Sequence, residues 1–84
     1  MNAIEWTTKA VKQLQKMDRP VQVQIRDDVT TLVDFPDVAG VKKLTNHQHS
    51  YRLRSGNYRI FFEFDGVLRI VLIEEVKKRD ERTY

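Results

Sequence analysis

The sequence predicts an α+β fold: a small antiparallel β-sheet with an N-terminal helical hairpin packed on one face, in the order β-α-α-β-β-β. Three observations predict it. Apolar residues recur at spacings of three and four over residues 10–17 and again over 21–33, the period of amphipathic helices. Residues 51–64, YRLRSGNYRIFFEF, alternate about Gly56-Asn57, a pair that tolerates the positive φ of a tight two-residue turn. After a second turn pair, Asp65-Gly66, residues 67–76 are nearly all β-branched or aliphatic, as in a strand buried on both faces.

Each element has its own justification. AIEW (3–6) is a short first strand. Thr7 or Thr8 can cap the first helix, because a hydroxyl there accepts from an orphan N–H of the first turn. Ala10, Val11, Leu14 and Met17 form its apolar stripe, with Lys9, Lys12, Gln13 and Lys16 outside it. Asp18-Arg19-Pro20 stops that helix and starts the next, since proline suits a first turn whose N–H would be unpaired anyway. Val21, Ile25, Val29, Leu32 and Val33 carry the second helix, which ends before Pro36. Residues 35–50 read as a loop, in which Val41-Lys42-Lys43-Leu44 touches the domain.

The 84 residues suffice for one domain, 1–84. Hydrophobic residues at 40% and charged residues at 32% suit a globular chain rather than a disordered one. No cysteine is present, so disulfides and thiolate zinc sites are excluded; the composition suits a reducing, cytoplasmic setting. The first ten residues lack the basic and long apolar regions of a signal peptide, and the longest apolar run is broken by Glu63, Asp65, Gly66 and Arg69, so no membrane association is expected.

Net charge is only +3, and its distribution says more than its total. With Gly56-Asn57 as the turn, Arg54 stands opposite Arg59 and Arg52 opposite Phe61. Tyr51, Leu53, Ile60, Phe62 and Phe64 then fill one face while Arg52, Arg54 and Arg59 converge on the other. Three guanidinium groups on one face repel one another unless an anion sits among them. A solvated face pairing with Glu63 and Glu74 is the plain structural reading. Arginine's planar fork, charged at any working pH, makes a nucleic-acid phosphodiester the leading ligand and an acidic protein segment the next. Lys77, Lys78, Arg79 and Arg82, with Tyr84 just beyond, add basic groups interleaved with an aromatic, which suits single-stranded nucleic acid; a solvated terminus is the plainer alternative.

Other candidates carry less. His47 and His49 flank Gln48, but with no cysteine and no adjacent carboxylate they read as a polar loop pair, and no metal or other cofactor is expected. Glu63, Glu74 and Glu75 read as exposed strand carboxylates. No P-loop, dinucleotide fingerprint, nucleophile elbow or H-E-x-x-H is present.

Over nearly its whole length the chain resembles the RelE/ParE toxins of bacterial toxin–antitoxin pairs. The resemblance rests on Tyr51-Arg52-Leu53-Arg54, on Gly56-Asn57-Tyr58-Arg59-Ile60, and on the closing Lys78-Arg79…Tyr84. It implies a cytoplasmic toxin that inhibits translation once its antitoxin is degraded. The RelE branch, favoured by the basic tail ending in tyrosine, cleaves messenger RNA in the A site of the 70S ribosome by 2′-hydroxyl attack on the adjacent phosphate. Carried over by position, Arg52 and Arg54 match the basic pair of the family's second strand, and Arg59 matches the arginine that holds the scissile phosphate. Arg79 or its neighbour Lys78 matches the group serving the departing oxygen, and Tyr84 the tyrosine that stacks on or orients the base. The implied partners are a cognate antitoxin, covering the arginine face with acidic and apolar residues, and the ribosome with its message; operator DNA is met only through the antitoxin.

Three departures from the pattern stand out. Arginine at both 52 and 54 leaves no ready base there. The spacing from Val76 to Tyr84 differs by about one residue from family members, so Lys78 and Arg79 are interchangeable in this assignment. The sequence also stops at Tyr84, where many relatives continue into another helix. Two alternatives remain: the ParE branch, which poisons DNA gyrase, and an inactive module that binds only its antitoxin.

Overall fold

The computed structural model describes residues 1–79. The elements are β1 (Ala3–Trp6), α1 (Thr8–Gln15), α2 (Arg19–Thr30) with a 3-10 turn at Thr31–Asp34, β2 (Val41–Lys43), β3 (Tyr51–Ser55), β4 (Tyr58–Asp65) and β5 (Ile70–Lys78). They form one five-stranded sheet, ordered β1-β5-β4-β3-β2, with the helices on one face. The α+β class and the helical hairpin stand as read, with two refinements. β2–β5 are antiparallel neighbours, but β1 lies parallel to β5, which makes the sheet mixed. The second refinement is β2 itself. Val41 pairs with Leu53 and Lys43 with Tyr51, so the free edge of β3 captures part of the expected loop as a strand.

Thr7 is the cap of α1: its hydroxyl accepts from the Ala10 N–H at 3.1 Å. Ala10 and Leu14 are the buried face of α1, while Val11 is exposed, because α1 flanks the edge of β5 rather than lying under the sheet centre. β1 covers only the first half of that edge. Beyond it, α1 satisfies the strand's open backbone groups with side chains: the Thr7 hydroxyl donates to the Glu74 carbonyl (3.2 Å), and the Gln13 carboxamide oxygen accepts from the Val76 N–H (2.6 Å). An open strand edge is thereby closed without another strand.

α2 lays Ile25 and Val29, followed by Leu32 of the 3-10 turn, against Leu53, Ile60, Phe62, Val71, Ile73 and Val76. Burying each such side chain contributes on the order of 2 kcal/mol. Phe35 closes one end, meeting Tyr51, Phe62 and Phe64 edge-on with centroids 5.0, 5.3 and 4.9 Å away. Buried Asn2 ties the N-terminus to this corner by donating its side-chain amide to the carbonyls of Leu32 and Phe35.

The last strand corrects the expected span. It begins at Ile70 rather than Val67, and Val67 and Leu68 are exposed in the turn. The Asp65 carboxylate accepts from the N–H groups of both Val67 and Leu68 (2.9 Å each), and Arg69 takes a positive φ of 57°. That local capping outcompetes β propensity over two residues.

The β3–β4 register is the one the turn predicts, with Leu53 opposite Ile60 and Arg54 opposite Arg59. Gly56 has φ of 56° while Asn57 does not take a positive φ, the pattern of a II′ turn. A Cβ on Gly56 would also come within 2.5 Å of the Gln24 amide nitrogen. Gly56→Ala should therefore lower unfolding free energy in urea by about 1–2 kcal/mol, mostly through φ. Adding Gln24→Ala, which removes the movable clash, should recover little of that loss.

Candidate functional site

The sheet's second face is read off the register. Arg54, Arg59 and Lys77 stand directly opposite one another on β3, β4 and β5. The next row on the same face is Lys42, Arg52, Phe61 and Glu75, and beyond it come Glu63, Leu72 and Glu5. Cations thus cluster at one end of this face and carboxylates at the other.

A bulge produces that arrangement. Between the pairs Phe61–Glu75 and Phe62–Ile73, Glu74 is an extra residue on β5. Without it, Val76 would stand opposite Arg59 and Glu75 opposite Ile60, a carboxylate in the core. With it, Val76 is buried beside Ile60, and Glu75 and Lys77 share the face that carries the arginines.

Like charges directly opposite one another in a sheet are destabilising. Arg54 is exposed and can relax into water, but Arg59 is only 9% exposed. Its guanidinium donates to the Tyr58 carbonyl at 3.3 Å, and no ion pair among the described residues includes Arg52, Arg54 or Arg59. The Arg52 Nε–H is buried without an acceptor among the described residues. The row therefore presents fixed positive charge and unused N–H donors, which a phosphate can take up two at a time.

Glu75 anchors the neighbouring row. It is 6% exposed and lies 3.0 Å from His49 Nε2, 3.2 Å from Lys9 Nζ and 3.5 Å from Lys77 Nζ. Burial alone would raise its carboxyl. The His49 hydrogen bond, the Lys9 hydrogen bond and the positive charges of Lys77 and Lys9 outweigh that and hold it below the ordinary carboxylate range. His49 also corrects the sequence reading of a loop pair with no adjacent carboxylate: β4 and β5 bring Glu63, Glu74 and Glu75 to it. His47 and His49 both stack on Phe61, with centroids 5.1 and 5.4 Å away, so residues 47–50 fold over this face.

The basic tail divides between faces. Lys78 is opposite Tyr58, in the row that runs through Ser55 on the helix side, so it stands across the sheet from the arginine row. Arg79 extends the ladder with its N–H on the Asn57 carbonyl (2.7 Å), and strand alternation returns it to the arginine side. Tyr84 lies outside the described residues. Lys77, read from the sequence as part of the basic tail, is brought into the arginine row itself by the bulge.

The chain combines a mixed sheet, a helical hairpin on one face and a cationic row on the other. The chain belongs to the family of ParE toxins of type II toxin–antitoxin systems, whose family model matches residues 4–82. No curated protein matches the sequence closely enough to count as a relative. Among solved structures, the chain is similar to RelE in the archaeal RelE–RelB complex from Pyrococcus horikoshii, at 21% identity and TM-score 0.78, covering 95% of this chain and 97% of that one. It is similar to the isolated E. coli RelE toxin, at 20% identity and TM-score 0.77, covering 96% and 87%. A third likeness is to the RelBE2 toxin–antitoxin complex from Mycobacterium tuberculosis, at 20% identity and TM-score 0.78, covering 93% and 98%. At such identities these likenesses establish the fold. Among the described residues, no helix is long and apolar enough to cross a membrane.

The Glu75 network has a measurable pH signature. A carboxyl depressed by folding contributes stability above its ordinary pKa, near pH 4, and loses it as pH falls through the folded value. Glu75→Gln should cost about 1–3 kcal/mol at pH 7. The gap between native protein and variant, followed by urea unfolding, should close as pH falls from 5 toward about 3.

Proposed function

We propose that this chain is the toxin of a type II toxin–antitoxin pair and a ribosome-dependent endoribonuclease, acting on messenger RNA in the cytoplasm. One observation carries the reading: Arg59, nearly buried and without a carboxylate partner among the described residues, flanked across the sheet by Arg54 and Lys77. Two non-bridging phosphate oxygens fit the two parallel N–H groups of such a guanidinium.

A ribose 2′-oxygen loses its proton to a base and forms a bond to the adjacent phosphorus. The phosphorane gains negative charge, which Arg59 and Arg54 stabilise in place. The bond to the 5′-oxygen then breaks, that oxygen takes a proton, and the products are a 2′,3′-cyclic phosphate and a 5′-hydroxyl. Neither Arg52 nor Arg54 can serve as the base, because guanidinium does not release its proton at working pH. Tyr84, Lys77 or a group of the ribosome takes that role, and Arg79, on the arginine side of the sheet, rather than Lys78 on the helix side, assists the departing oxygen. RelB-bound RelE structures support a cognate antitoxin as the silencing partner. Its acidic and apolar residues suit the arginine face and the edges beside it.

The second reading is a DNA gyrase poison, and the family-model match to ParE toxins favours it specifically. Primer extension on a reporter message after induction, beside purified gyrase with supercoiled plasmid, separates the two. Cuts within codons of translated messages, with gyrase unaffected, support the nuclease; intact messages with gyrase-linked breaks replace it. Arg54 is exposed, so Arg54→Ala should fold normally by circular dichroism and yet reduce message cleavage by about 100-fold. Undiminished cleavage in that folded variant would remove Arg54 from the site.

A further inference from the structure

The carboxylate end of the same sheet face holds a second constellation, independent of the arginine row. His49, only 9% exposed, is fixed by stacking on Phe61 and by Glu75, whose carboxylate lies 3.0 Å from its Nε2. An ionised carboxylate can only accept, so Nε2 carries hydrogen; the Gln48 amide nitrogen, at 3.4 Å, is the weaker contact. In the neutral ring Nδ1 then presents a lone pair. That atom is buried, has no hydrogen-bond partner among the described residues, and faces a Glu63 oxygen 3.7 Å away. Glu74 completes the group: one ligand atom from each of His49, Glu63 and Glu74 lies within 4.8 Å of the others.

A lone pair directed at a carboxylate, with a second carboxylate beside it, is relieved by positive charge on Nδ1, which either a proton or a bound metal ion supplies. Among the described residues no lysine or arginine pairs with Glu63 or Glu74. We propose that His49, Glu63 and Glu74 bind a divalent transition-metal ion, with Zn²⁺ the best match, which fastens residues 44–50 to the outer face of the sheet.

The donor set and its surroundings fit that ion. One imidazole and two carboxylates are ligands zinc accepts, and bonds of about 2.0–2.2 Å would bring the three atoms about 3.3 Å apart, a small closure for two glutamate side chains. Glu75 stands where a metal-bound histidine ordinarily finds its second partner, a carboxylate on the other ring nitrogen that fixes tautomer and orientation. Ser50 holds Glu63 from the loop side, its N–H at 2.8 Å and its hydroxyl on the other oxygen. Alternation from Leu72 already puts Glu74 on the outer face, and the bulge adds Glu75 to that face beside it. His47 acts as a buttress, its Nδ1 accepting the His49 backbone N–H at 3.0 Å.

The test is isothermal titration of the full chain, freed of metal by chelation, with Zn²⁺ and separately with Mg²⁺. Saturable binding of one Zn²⁺ per chain is expected, with a rise in the unfolding temperature and no comparable response to Mg²⁺. Glu63→Gln and Glu74→Gln, each checked for folding by circular dichroism, should weaken binding by at least about tenfold, and Glu75→Gln by about tenfold through loss of orientation. Glu63 and Glu74 are both half-buried, so their variants keep the test available if the change at buried Glu75 impairs folding. Absence of saturable binding, or binding undiminished by both Glu63→Gln and Glu74→Gln, would overturn the site.

Discussion

One extra residue in β5 decides what the sheet presents. Side chains alternate strictly along a strand, so a single insertion reverses the faces of everything after it. Up to Ile73 the strand buries Val71 and Ile73; past Glu74 the buried residue is Val76, and Glu75 and Lys77 are turned outward. The bulge thus keeps both halves of β5 apolar toward the helices. It also brings a lysine into line with Arg54 and Arg59 and supplies the carboxylate that orients His49. Hydrophobic burial and surface chemistry are satisfied by the same irregularity.

The outer face is graded rather than uniformly basic. At one end Arg54, Arg59 and Lys77 share a row, and at the other Glu63 and Glu5 do, with Phe61 under two imidazoles between them. Lys77 belongs to both ends, since it stands opposite Arg59 and also lies 3.5 Å from Glu75. Glu75 therefore limits the repulsion along the cationic row without neutralising Arg59. The positions of these arginines are set by the ladder, and the Glu75 carboxylate in the adjoining row is already engaged by His49 and Lys9.

Much of this was legible in the sequence where the determinants are local. Thr7 capping, Pro20 at a helix start, Gly56-Asn57 in a hairpin and the opposition of Arg54 to Arg59 all follow from neighbours in the chain. Features set by distant segments were not. β2 exists because β3 offers an unpaired edge, and three residues of Val-Lys-Lys carry no signal for it. Val67 and Leu68 look like strand residues until the Asp65 carboxylate takes their N–H groups. The doubled glutamate at 74–75 was the one visible mark of the bulge, and it becomes readable only once β4 is laid beside it. His49 looked isolated because its three carboxylates come from β4 and β5, between 14 and 26 residues further along the chain.

The cationic row is itself an argument about function. Packing of the helices requires only that the inner face be apolar, a condition met by Leu53, Ile60, Phe62, Val71, Ile73 and Val76. Nothing in that requirement calls for three cations in register on the opposite face, where they repel, or for a guanidinium held almost out of solvent with one backbone acceptor among the described residues. Such an arrangement costs stability. Local violations of this kind concentrate where a protein must bind or react, since a ligand's charge offsets there what the free fold leaves unbalanced. What the fold does not require is therefore concentrated on this outer face, where Arg59 stands without a carboxylate partner among the described residues, and not in the core that carries it.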